Sequence, residues 1–243
     1  FLVIMDVGRF VRRKKRLSLQ SKIVLITTAC LIIGGAGIFI AAEGDNPETM
    51  GSWTIGEKIM GGLFQSVTCR TAGFASFPQE NMHTISSFVS ILLMFIGASP
   101  AGTGGGIKTT TMAVLVALTM QIIRGRSETV MFKRTINRSL VLRAIGVAIL
   151  SIILVLVVTL VISMIEADRH DSHNIMFETV SAFATVGLTQ ALTPNLLPAS
   201  QIVLMVTMFA GRVGMMSLML ALTKQFAKNK GDIHYPEEKI MIG

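Results

Sequence analysis

Four apolar stretches, at about residues 19–42, 83–123, 139–165 and 199–227, dominate this 243-residue chain. Each reaches or exceeds the ~20 residues that carry a helix across a hydrocarbon core. A soluble domain scatters its apolar residues among polar ones. Here the 51% of hydrophobic residues come in blocks too long for a globular core, so lipid is the expected solvent. The fold class that follows is an all-α membrane protein.

The net charge of +8 is distributed in a telling way. Basic residues form runs between apolar blocks: Arg12, Arg13, Lys14, Lys15 and Arg16, then Arg124 to Arg143, then Lys224 to Lys230. The other two connections are acidic or mixed, with Glu43, Asp45, Glu48 and Glu57 in one and Glu166 to Asp171 in the other. This alternation is the positive-inside pattern, and it places both ends of the chain in the cytoplasm of a multi-pass plasma-membrane protein. Nucleic acid is not an expected partner, since the charge is not gathered on one face and the chain has one Trp and one Tyr. Cys30 and Cys69 lack metal-ligand spacing and read as small buried hydrophobes. The opening run from Phe1 to Met5 passes straight into a basic cluster, so residues 1–18 read as the cytoplasmic end of an earlier membrane helix in a larger protein.

One unit is written twice. Phe64-Gln65-Ser66-Val67-Thr68-Cys69-Arg70-Thr71-Ala72-Gly73-Phe74 aligns, with one inserted residue, to Phe177-Glu178-Thr179-Val180-Ser181-Ala182-Phe183-Ala184-Thr185-Val186-Gly187-Leu188. Each copy follows an apolar block and an outside loop, and each is followed by a proline, Pro78 or Pro194, and another block. The segments 57–69 and 172–184 are only about 20 Å long as helix, too short to cross, and both ends of each face outside. They are expected to be re-entrant half-helices whose loops lie at membrane depth, where irregular backbone must be buried in protein or line a watery cavity. The organisation is a membrane–pore–membrane repeat over 19–126, a cytoplasmic linker over 127–138, a second repeat over 139–228 and a cytoplasmic tail over 229–243.

The second block is longer than one crossing needs, and its middle holds Gly97, Pro100, Gly102, Thr103, Gly104, Gly105 and Gly106. Such a stretch cannot remain helical. The charge pattern still demands one crossing, so this is a span broken by a flexible intramembrane loop. It is not a Walker phosphate loop, because Lys108 follows Ile107 rather than Gly. The fourth block has no matching glycine run.

Rings of backbone carbonyls can replace the hydration shell of a cation. Gly73 and Gly187 supply backbone freedom to aim successive carbonyls, and Thr71 and Thr185 precede them by two residues. The pore helices point their partially negative C-terminal ends at the same cavity. A single Thr-x-Gly reads more readily as a helix end; its duplication in context reverses this and favours a permeation path for a monovalent cation. Arg212, in the last block, costs about 2.5–3.5 kcal/mol at a span centre and must face a cavity or a partner. It is either a fixed positive charge beside the path or a structural residue bonded to free carbonyls. Arg70 is placed to brace the first loop from behind. His170 and His173 are too few for a metal site. No nucleophile motif or paired intramembrane carboxylates point to an enzyme. The alternatives are a secondary cation transporter with broken helices, sodium-selective or sodium-coupled, and a membrane anchor for a cytoplasmic complex.

Thr71-Ala72-Gly73-Phe74, Thr185-Val186-Gly187-Leu188, the glycine run leading into Ile107-Lys108-Thr109, and Arg212 together resemble the Trk/Ktr/HKT superfamily of potassium transporters, most closely the bacterial Ktr membrane subunit. The resemblance implies four helix–pore helix–filter loop–helix units around one pore, as in potassium channels, of which this chain carries the third and fourth. It implies K+ held at the filter by Thr71, Ala72, Gly73, Thr185, Val186 and Gly187. Gly102, Thr103, Gly104, Gly105, Gly106 and Lys108, with Arg212 nearby, would form the gate. It also implies a homodimer seated on a cytoplasmic regulatory ring that binds ATP or ADP, with no cofactor in this chain. Some relatives carry Ser for Gly in the first filter loop and favour sodium; both loops here have Gly.

Overall fold

The computed structural model describes residues 2–13, 17–100, 102, 104–125, 128–167, 169–215, 217 and 220. Helix α1 (Leu2–Arg13) leads into α2 (Leu19–Glu43). Asp6 joins them, its Oδ2 accepting from the Ser18 amide at 3.0 Å and the Ser21 hydroxyl at 2.7 Å. With 25 residues α2 is about 37 Å long, more than the ~30 Å hydrocarbon core. Helix α6 (Arg138–Glu166), with 29 residues, reaches about 43 Å. Both are long and apolar enough to cross a membrane.

Helices α3 (Ile55–Thr68) and α7 (Ser172–Phe183) are, at 14 and 12 residues, about 21 and 18 Å long and cannot cross. A capping box starts α3: the Thr54 hydroxyl accepts from the Glu57 amide, and the Glu57 carboxylate accepts from the Thr54 amide at 2.8 Å. Each short helix ends in a loop that runs through a 3-10 turn, Gln79–Asn81 or Thr193–Asn195, into a second apolar helix, α4 (Thr84–Phe95) or α8 (Pro198–Val213). Long helix, short helix, loop and helix therefore occur twice in the same order. A hydrophobic core that includes Phe39, Cys69, Met94, Phe177 and Phe183 fuses the two units. Cys69 is buried as expected, whereas Cys30 lies on an exposed helix face.

The second apolar block is broken between α4 and α5 (Thr109–Ile123). The break is pinned at its feet. Ile96 and Ile107 pair as a parallel bridge, the Ile107 amide donates to the Phe95 carbonyl at 3.0 Å, and the Thr109 amide donates to that of Ala98 at 3.4 Å. The fourth block is not one continuous helix either. Helix α8 ends at Val213 because Gly214 takes φ +87°, so Arg212 stands in a last helical turn rather than inside an unbroken span. The linker carries a small hairpin, β1 (Val130–Met131) and β2 (Arg134–Thr135), turned by Phe132 and Lys133 at positive φ. The expected tail, 229–243, lies outside the described residues.

Candidate permeation site: two filter-like loops and a glycine loop

The two loops share one frame. After α3, the Ala72 and Gly73 amides both turn back to the Thr68 carbonyl at 3.2 Å. After α7, the Val186 amide turns back to the Ser181 carbonyl at 2.9 Å and the Gly187 amide to the Ser181 hydroxyl at 3.2 Å. The hydroxyls at the two equivalent positions also hold the next residue. Thr68 Oγ1 donates to the Phe74 carbonyl at 2.6 Å and accepts from its amide at 2.8 Å, and Ser181 Oγ donates to the Leu188 carbonyl at 2.6 Å. Thr71 and Thr185 both have positive φ, 72° and 54°, as do Gly73 and Gly187, 77° and 94°. Alternation of this kind spends the amides on the helix end. Among the described residues, no hydrogen bond ends on the carbonyls of Thr71, Ala72, Gly73, Thr185, Val186 or Gly187. The loops meet directly: a Cβ on Gly73 would stand 2.1 Å from the Val186 carbonyl oxygen.

The polar residue at the second repeat position braces each loop's outward limb. Gln65 Nε2 donates to Gln79 Oε1 at 2.7 Å. Glu178 accepts from the Thr189 hydroxyl at 2.5 Å, the Gln190 amide at 3.0 Å and the Thr193 hydroxyl at 2.6 Å.

The glycine loop lies against these loops. The Gly105 amide donates to Thr185 Oγ1 at 2.8 Å, and Lys108 Nζ donates back to the Gly104 carbonyl. Lys108 and Arg212 are close enough for their charges to oppose each other, which brings the two expected gate cations into one neighbourhood. Gly102 sits at a turn closed by its amide on the Ser99 carbonyl at 3.2 Å, and Gly106 holds φ +69°. Thr103, also expected in the gate, lies outside the described residues. Gly211, beside Arg212, lets α8 pass the end of α7, since a Cβ there would come within 1.9 Å of the Phe183 carbonyl oxygen. Arg70 does not brace its loop: its Nε is buried without a hydrogen-bond partner among the described residues. His170 and His173 part company, the first near Glu166 at 4.0 Å, the second within 2.8 Å of Ser87 Oγ and tilted against the Phe88 ring at 4.5 Å between centroids. Burial holds the His173 imidazole below its usual pKa range. No group of three metal-binding side chains occurs among the described residues.

A third duplicated feature escaped the sequence reading. The last residue of each long helix is a buried glutamate. Glu43 accepts from the amide of His83, which caps α4, and Glu166 accepts from the amide of Leu197, which caps α8, at 2.9 and 3.0 Å. Glu166 also takes the Ser200 hydroxyl at 2.5 Å. An acidic residue ending each apolar block was visible, but the partner lay 40 or 31 residues away.

The units differ in what covers the short helices. Helix α4 packs on α7, where Phe177 and Val180 are 0% and 1% exposed. Their counterparts on α3, Phe64 and Val67, are 44% and 45% exposed and line an open groove of about 540 Å³ with Trp53 and Met60.

The sequence profile of the TrkH cation transport proteins matches residues 8–230. The chain belongs to this TrkH family. Its relatives include the Ktr system potassium uptake protein B of Vibrio alginolyticus and of Bacillus subtilis, each 37% identical over the whole of this chain. The potassium/sodium uptake protein NtpJ of Enterococcus hirae is 36% identical, again over the whole chain. The chain spans about half the length of these relatives, between 52% and 54%. The crystal structure of the potassium transporter TrkH from Vibrio parahaemolyticus superposes with a TM-score of 0.67 at 18% identity, over 86% of this chain and 45% of that one. The TrkH family consists of cation transport proteins, not enzymes.

Proposed function

We propose that the complete protein is a channel-like potassium-uptake subunit of the plasma membrane. In this reading K+ passes between Thr71, Ala72 and Gly73, Thr185, Val186 and Gly187, and two further loops supplied by the remaining part of the protein. The observation that carries it is the pair of loops whose amides are turned inward and whose six carbonyls accept no bond among the described residues. An ion shedding water needs such oxygens. The open groove on α3 supports completion by more protein, because the same face of α7 is closed by a second-span helix. The potential drives uptake, since a monovalent cation gains about 2.3 kcal/mol per 100 mV.

The glycine loop 102–106, with Lys108 and Arg212, is the gate in this reading. Its contact with Thr185 and its position between the two halves of a broken span support that role. Both ends of the chain face the cytoplasm. The protein works as a homodimer on a cytoplasmic nucleotide-binding ring that reads ATP or ADP, as its Ktr-named relatives suggest for a multi-component system.

The test is rubidium and sodium uptake by the complete protein in cells lacking other potassium uptake, comparing wild type with Gly187→Ser. Nothing lies within 4 Å of a Cβ built on Gly187, so the substitution acts through the backbone at φ +94° and not by collision. Rubidium uptake that becomes sodium-tolerant in the variant is expected. An expressed variant indistinguishable from wild type removes Gly187 from the ion path and favours a secondary transporter.

A further inference from the structure

Both filter threonines touch the glycine loop, at consecutive glycines. A Cβ on Gly104 would stand 2.8 Å from Thr71 Oγ1, and the next residue, Gly105, donates its amide to Thr185 Oγ1 at 2.8 Å across 80 positions of sequence. A Cβ on Gly105 would come 2.8 Å from the Ala184 carbonyl carbon and 2.9 Å from the Phe183 oxygen, so the loop lies on the backbone that forms the second filter. Thr185 also holds φ +54°, an uncommon conformation for a β-branched residue, and so presents its hydroxyl to the loop.

We infer that the Thr185 hydroxyl is the latch that holds the glycine loop closed against the filter. The inference rests on reading that loop as the gate and adds the bond that keeps it shut. With the loop in place, the Gly105 amide lies against the filter backbone and takes the Thr185 hydroxyl as its acceptor. With the loop withdrawn, the amide and the hydroxyl bond to water instead, an exchange over which an intramolecular bond keeps a modest net advantage. The bond therefore favours the closed arrangement over the open one. Thr185 acts as a positioning residue through its side chain, separately from whatever its carbonyl offers the ion.

The experiment uses the full-length protein in liposomes and reads resting rubidium efflux. Thr185→Val keeps the shape and removes the acceptor, Thr185→Ala removes it with less bulk, and Thr185→Ser retains it. Deletion of residues 102–106 reports on the gate itself. Resting efflux is expected to rise about fivefold in the Val and Ala variants, the equilibrium factor given by the net worth of one neutral hydrogen bond. The Ser variant, which retains the acceptor, should leak less than the Val and Ala variants. If the deletion leaks while Val and Ala both stay at the wild-type rate, the latch is wrong and the gate stands. Equal loss of flux in all three Thr185 variants, Ser included, means a packing role and also overturns the latch. A deletion that does not leak defeats the gate reading itself.

Discussion

Replacing Glu43 by Ala should cost the protein more than any exposed charge change. The buried carboxylate accepts three bonds: the His83 amide at 2.9 Å, Asn46 Nδ2 at 2.7 Å and the Thr49 hydroxyl at 2.7 Å. Bonds to a charged group are worth about 1.5–3 kcal/mol each, so the simple sum is about 5–9 kcal/mol. Two of the donors have some relief. Asn46 Nδ2 also reaches the Asn81 carbonyl at 3.0 Å, and the Thr49 hydroxyl can rotate. The His83 amide opens α4 and cannot move without the helix. Because bonds within one network are not additive, the expected loss for Glu43→Ala is about 3–5 kcal/mol. Glu43→Gln keeps the volume and one acceptor but turns an NH2 toward donors, for about 2 kcal/mol. Thermal unfolding of the purified full-length protein in detergent, followed by labelling of the buried Cys69 thiol in a Cys30→Ser background, measures both. An Ala variant within ~1 kcal/mol of wild type would refute the reasoning, since one unmet buried donor alone costs that much.

Three further outcomes follow from the site. Gly73→Ala should abolish uptake while Gly187→Ala retains some, because only the first Cβ collides with the facing loop, at 2.1 Å from the Val186 oxygen; rubidium uptake at matched expression decides it. Gly211→Ala should lose about 1–3 kcal/mol by overpacking, as its Cβ would come within 1.9 Å of the Phe183 oxygen, and should show as reduced yield of folded protein. The Thr54 bonds hold the Glu57 carboxyl below its ordinary pKa. Its capping contribution is therefore complete above the unfolded value of about 4.3 and is lost as pH falls through the lower folded one. Thermal midpoints of wild type and Glu57→Gln should converge on acidification and part again at neutral pH.

Block length and the internal repeat made the two long helices, the two short helices and the break in the second block legible, because an apolar run sets a helix's length and a cluster of glycines with a proline ends it. The repeat Phe64–Phe74 against Phe177–Leu188 placed both loops, and the structure gives them one frame. Distance in sequence hid the rest. Glu43 and His83 meet only after a half-helix has entered and left, and so do Glu166 and Leu197. The contact of Gly105 with Thr185 joins two units. Arg70 misled because proximity in sequence to Thr71 says nothing of which way its side chain turns. The end of α8 at Gly214 was missed because one glycine in an apolar run rarely ends a helix, whereas five in ten residues around Pro100 almost must.

The uneven cover of the two half-helices bears on how such a protein is made. The joint between the two units is directional: α4, the second apolar helix of the first, closes α7, the short helix of the second. In the pore proposed above, a chain emerging from the ribosome unit by unit would seat each pore helix on the unit made before it, while the first-made pore helix would wait for the last. The carbonyls assigned to the ion in that pore would face acyl chains until the ring closes, and these offer them no hydrogen bond. Each newly inserted unit is then drawn to the one before it, and the order of synthesis becomes the order of assembly.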